Sequence, residues 1–163
     1  IVLGLTMGMQ PIVGYNFGAQ KIDRVKQTLK LGIVSGVVIT SSGFFICELF
    51  PHAVSAIFTD SDHLIDLAVD GLRITVIMFP FVGAQIVIGN FFQSIGKAKI
   101  SIFLSLTRQL LYLLPCLLLF PNWWGLKGIW ISMPVSDALA FITAVISLII
   151  YIKKVSKQHP IAE

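Results

Sequence analysis

Charge is scarce in this chain of 163 residues: Asp, Glu, Lys and Arg make up 12% of it, against 56% hydrophobic residues and a mean hydropathy of +0.88. That shortage excludes a soluble domain of this size, because several apolar helices in succession leave no polar surface to face water. Cysteine is nearly absent. Cys47 and Cys116 both lie within apolar runs, so neither a disulfide framework nor a thiolate metal site has support. His52, His63 and His159 are scattered at the borders of those runs without ligand spacing, and no metal is expected. No phosphate-binding glycine loop and no nucleophile–base pairing occurs, so catalytic residues are expected to be none and enzymes are excluded. An initiator Met, a charged n-region and a cleavage site are also missing, which excludes a signal peptide. The short apolar stretch Ile1–Met9 therefore reads as the end of another membrane helix, and the chain as part of something larger.

What is abundant is long apolar sequence. Stretches at 29–50, 74–95, 100–121 and 129–152 each reach the roughly 20 residues that a helix needs to cross about 30 Å of hydrocarbon. The positive charges between them fall on alternate sides. Lys21, Arg24, Lys26 and Lys30 precede the first stretch, Lys97 and Lys99 follow the second, and Lys153, Lys154 and Lys157 follow the fourth. The intervening gaps hold Asp60, Asp62, Asp66 and Asp70, or Pro121-Asn-Trp-Trp-Gly with Lys127. Lys and Arg near span ends favour the cytoplasm, so the N-terminal end and the tail at 153–163 are both expected there. The net charge of +4 and pI near 9.2 reflect these membrane borders, where anionic lipid is the expected partner and nucleic acid is not.

The expected organisation is an all-α polytopic bundle of four complete membrane helices plus the end of a fifth. Residues 1–14 close that partial helix, and 15–28 form a cytoplasmic loop containing a basic amphipathic piece that lies on the membrane surface. Gly32 and Gly36 form a small-residue pair suited to close helix approach. Thr59 or Asp60 is expected to cap a helix running into the second span, with Asp70 and Arg73 able to pair on its surface. Trp123, Trp124 and Trp130 read as interfacial anchors.

Three spans each contain a proline: Pro80, Pro115 and Pro134 are the candidate bend points. Two spans contain a charge. Asp137 lies near mid-membrane, where an aspartate costs at least ~2.5–3.5 kcal/mol and must face a cavity, a partner or a proton path. Arg108 enters from the other side, and helix rise separates the two by about 7 Å, a gap that an arginine nearly spans. Two readings stand: the pair neutralises itself between helices, or Asp137 binds substrate or cation and changes protonation. Gln85, Asn90 and Gln93 are candidates for a polar pathway face, although 85 and 90 are five apart and point in different directions, so interhelical hydrogen bonding is the plainer reading.

Three motifs carry a resemblance. The first is Gly8-Met-Gln10-Pro11-Ile-Val-Gly14-Tyr15-Asn16-Phe-Gly18-Ala19 followed by Arg24. The second is Phe92-Gln-Ser-Ile-Gly-Lys97 with Leu104-Ser-Leu-Thr-Arg-Gln109, and the third Gly125-Leu-Lys-Gly-Ile-Trp130 with Pro134-Val-Ser-Asp137. In this order they resemble the multidrug and toxic compound extrusion (MATE) transporters. The resemblance implies most of the C-terminal lobe of a protein with two six-helix lobes, in the cytoplasmic membrane of a bacterium. It implies export of cationic or aromatic drugs and metabolites in exchange for Na⁺ or H⁺ by alternating access, with no other cofactor. The N-terminal lobe would be the missing partner and would hold the coupling carboxylate of many members; this piece alone is expected to be inactive, because half a cavity has no second wall to close against. A lipid-linked oligosaccharide flippase or polysaccharide exporter of the same superfamily is the nearest alternative, although a single intramembrane Arg gives it little positive charge. A non-transporting scaffold subunit is the other.

Overall fold

The computed structural model describes the backbone of residues 1–158 and the side chains of residues 1–154. Of the tail expected at 153–163, residues 159–163 and the side chain of Lys157 lie outside the described residues. Among the described residues the chain is helical and holds no strand. The helices are α1 (Val2–Gly18), α2 (Ile22–Leu49), α3 (Pro51–Ala56), α4 (Asp62–Val76), α5 (Phe79–Ser94), α6 (Ala98–Leu106), α7 (Leu114–Trp124) and α8 (Leu126–Gln158). A π-helical segment, Thr107–Leu113, joins α6 to α7.

Three stretches are long and apolar enough to cross a membrane: Ile22–Leu49, Ala98–Trp124 and Leu126–Lys154. The fourth is a bent pair, α4 and α5, with 51° between them. This corrects the single span expected at 74–95. Pro80 stands in the first turn of α5, where its missing N–H goes unneeded, and the bend falls just before it at Ile77–Met78. Helix α4 starts one or two residues later than expected, with Ser61 at its N-cap.

The loop expected at 15–28 is also corrected. Helix α1 continues past Pro11 to Gly18, and α2 begins at Ile22, so only three residues turn the chain and no separate surface helix forms. In hydrocarbon an unpaired backbone group costs several kcal/mol, and this outweighs the helix-breaking tendency that glycine and proline show in water. At the corner Gln20 has φ of 59°, a left-handed conformation that favours glycine. A Gln20→Gly substitution is expected to stabilise the fold by about 1 kcal/mol, since an L side chain pays roughly that penalty there. A rise in apparent melting temperature would check it.

Helices α2 and α5 form the centre. A methyl group built on Gly32 would meet Met9 Sδ at 2.7 Å, and one on Gly36 would meet the carbonyl of Gly83 at 3.1 Å, so both glycines lie at closely packed interfaces. Met9, Val13, Val87, Ile88, Phe91 and Phe92 are buried around this contact. Helix α8 approaches with a stripe at four-residue spacing: Ser132, Ser136, Ala140, Ala144 and Leu148 are all buried. Small residues let helices approach where no aqueous driving force exists between them. Farther along, the Trp130 indole lies over Gly71 of α4, so this tryptophan packs helices together as well as suiting an interface. The outward faces stay apolar, with Leu118 65% and Ile150 62% exposed, as lipid-facing residues are.

Candidate functional site

Pro115 shapes the site. Without an N–H it cannot continue the ladder, and the turn before it widens: the Leu114 N–H donates to the carbonyl of Gln109, five residues back. Pro115 then falls in the first turn of α7 rather than inside a helix. Single widened turns of this kind cluster at functional sites. Pro134 lies inside α8, which runs on through it.

The widened segment carries Arg108. Its Nε donates to Asp137 Oδ1 of α8 at 2.8 Å, so the two intramembrane charges form an ion pair. The Asp137 side chain is 10% exposed and that of Arg108 is 37% exposed. Four residues on, Tyr112 Oη and Thr143 Oγ1 are 2.8 Å apart. The threonine hydroxyl already donates to the Leu139 carbonyl at 2.8 Å, which makes Tyr112 the donor. Counting from the one-residue turn at Gly125, Arg108 lies 17 residues back and Asp137 12 forward, whereas Tyr112 lies 13 back and Thr143 18 forward. The two contacts therefore slant in opposite directions between the same helices.

On its free side Arg108 lines a cavity of about 270 Å³ between α5 and the α6–π segment. Gln85, Asn90 and Gln93 line it from α5, and Ser101, Ser105 and Gln109 from the other wall. Gln85 and Asn90 thus share one cavity, contrary to the divergence expected from their spacing. Ile86, Gly89, Asn90 and Gln93 form one face at helical intervals, and Gln85 borders it through Gly89, four residues on. The Asn90 amide donates to the Ile86 carbonyl at 3.1 Å. Gln85 is 9% exposed, and its Oε1 is buried without a partner among the described residues. A buried acceptor left unpaired costs about 1–3 kcal/mol, so this oxygen calls for a donor from water or a ligand. Seven amide, hydroxyl and guanidinium side chains with no free carboxylate can hold a polar molecule by hydrogen bonds, but offer no nucleophile–base pair.

The remaining candidates lie apart from this cavity. Gln10, Pro11, Gly14, Tyr15, Asn16 and Gly18 form the last turns of α1, and Arg24 is exposed in the first turns of α2. Asn16 is buried, its amide donating to the Ile12 carbonyl at 2.8 Å while its Oδ1 is unpartnered among the described residues. A methyl group on Gly14 would lie 3.3 Å from the Ser94 carbonyl, so this motif packs α1 against α5. Arg73 lies 3.8 Å from Glu48 of α2, in place of the pairing with Asp70 considered for it. Sequence reasoning quoted Ser105 and Gln109 only as part of a motif, not as lining, and missed Ser101, Tyr112 and Thr143. The serines four apart on a short apolar helix were the available signal; the Tyr112–Thr143 contact joins residues 31 apart and left none.

The MatE family model matches residues 1–118 of the chain. The multidrug export protein MepA of Staphylococcus haemolyticus is 25% identical over 139 residues, covering 85% of this chain and 30% of MepA. Two solved structures, an outward-facing and an inward-facing multidrug resistance MATE family transporter of the MOP superfamily, each superpose with TM-score 0.89 at 20% identity over 96% of this chain. They are covered over 36% and 37% of their own lengths, and at that identity the likeness is one of fold. The chain thus spans about a third of the length of the proteins it matches.

Proposed function

Since this chain belongs to the MatE family, we propose that the whole protein is a secondary exporter of cationic or aromatic small molecules. Export is driven by exchange for Na⁺ or H⁺ through alternating access, in the cytoplasmic membrane of a bacterium. In this reading the chain supplies most of one lobe, and an N-terminal lobe completes the pathway.

The observation that supports it most directly is the polar cleft between α5 and α6 of an otherwise apolar bundle, with Arg108 tied to Asp137 at 2.8 Å on its border. Polar and ionisable groups at membrane depth mark substrate and ion pathways. Gln85, Asn90 and Gln93 supply hydrogen bonds along the path, and Asp137 is the carboxylate available for coupling in this lobe. It becomes available when Arg108 lets go. The lobe fold matches outward- and inward-facing transporters with equal TM-scores of 0.89, which suits a lobe that rocks as one body.

The test is export of a fluorescent cation such as ethidium from vesicles holding the full-length protein, under an imposed Na⁺ or proton gradient. Gradient-dependent export is expected, and Asp137→Asn is expected to lower it at least several-fold with the protein still inserted. Absence of gradient-dependent export by the unmodified protein would overturn the proposal, and unchanged export by the variant would remove Asp137 from coupling.

A further inference from the structure

A second and larger cavity, about 610 Å³, opens where α1, α2, α6 and α8 meet at one end of the bundle. That volume falls within the roughly 300–1,000 Å³ of small-molecule sites. Two chain corners and the end of an apolar stretch converge there. Gln20 comes from the α1–α2 turn, Lys97 from the α5–α6 turn, and Lys154 from the end of the apolar stretch of α8. Among the described residues neither lysine has an ion-pair partner.

The cavity is graded along the membrane normal. Phe103 lies six residues beyond Lys97 on α6, about 9 Å deeper by helix rise. Ile150 lies four residues before Lys154 on α8, about 6 Å deeper. Phe103 is 55% and Ile150 62% exposed, so the deeper wall is open and apolar. Between head and wall stands Tyr151, held edge-on by Phe92 with ring centroids 5.6 Å apart. A pair of cations at the bilayer surface above an open apolar wall has the polarity of a phospholipid, head outward and chain inward. A free phosphate would use the lysines and leave the wall uncovered.

We propose that this cavity binds an anionic phospholipid, its phosphate between Lys97 and Lys154 and an acyl chain along Phe103 and Ile150. Basic pockets between membrane helices are suited to such headgroups. Gln20, at the left-handed corner between α1 and α2, lines the same cavity and adds a polar residue to its lysine end.

The test is association of spin-labelled phosphatidylglycerol and spin-labelled phosphatidylcholine with the full-length protein in phosphatidylcholine vesicles. The expected result is preference for phosphatidylglycerol of roughly fivefold per lysine, the attraction a basic residue exerts near the surface. Lys97→Gln/Lys154→Gln should abolish it, and Lys99→Gln/Lys153→Gln, at residues outside the cavity, should keep it. Equal association of both lipids with the unmodified protein overturns the proposal and needs no variant. So does an equal loss in both double variants, which would mean diffuse attraction. Displacement of the labelled lipid by soluble glycerol 3-phosphate would overturn it in favour of a free phosphate site.

Discussion

An Asp137→Leu protein is expected to be markedly less stable than the unmodified one, and an Arg108→Leu/Asp137→Leu protein to regain most of the loss. Removing one partner from a buried ion pair costs about 3–5 kcal/mol, because the other charge is left uncompensated. Arg108 is 37% exposed on the cavity side, so water reaches it and the net cost falls to roughly 2–3 kcal/mol. With both charges gone no desolvated ion remains, and two leucines suit the hydrocarbon. Thermal unfolding in detergent would read this directly. A double variant no more stable than Asp137→Leu would show that the 2.8 Å contact is not what Asp137 contributes. The same pair of proteins addresses transport: recovery of stability without recovery of export places the Arg108–Asp137 pair in the cycle rather than only in the packing.

Gly83→Val should be strongly damaging to the α2–α5 contact at the centre of the bundle. A methyl group at this position would collide with the backbone carbonyl of Gly36, and would lie 2.5 Å from Thr40 Oγ1 and 2.7 Å from the Gly36 carbonyl carbon. Backbone on both sides cannot swing aside as a side chain can, so α2 and α5 would have to separate. Overpacking commonly costs 1–3 kcal/mol, and with the α2 backbone itself in the way roughly 3 kcal/mol or more is expected here. Gly43→Ala on α2, with nothing within 4 Å, is the control and should stabilise by about 0.5–1 kcal/mol. Monodispersity on size-exclusion chromatography separates the two outcomes, and a well-behaved Gly83→Val protein would mean that the α2–α5 contact is looser than described.

The spans were legible because hydrocarbon imposes length and composition on any helix that crosses it, and Leu126–Lys154 stands out for that reason alone. Arg108 and Asp137 were legible as a possible pair because depth can be counted from span ends. The corner at Gln20 was not. Gly14, Gly18 and Pro11 suggest a loop by their behaviour in water, whereas in this bundle they belong to α1. The cavity was half legible: its amides were visible, but which of them face one another depends on α6, whose serines complete the wall. The contacts of Arg73 with Glu48 and of Trp130 with Gly71 depend on how α4 leans relative to α5 across the 51° bend, and no local pattern encodes that angle.

The oppositely slanted contacts between the π segment and α8 have a mechanical consequence. Two diagonals in one panel of a truss resist shear in both directions. If α8 slides one way along its neighbour, the Arg108–Asp137 strut must stretch; if it slides the other way, the Tyr112–Thr143 strut must. Neither diagonal resists rotation about the long axis to the same degree. The hairpin closed at Gly125 is thus braced against sliding along its length and freer in twist.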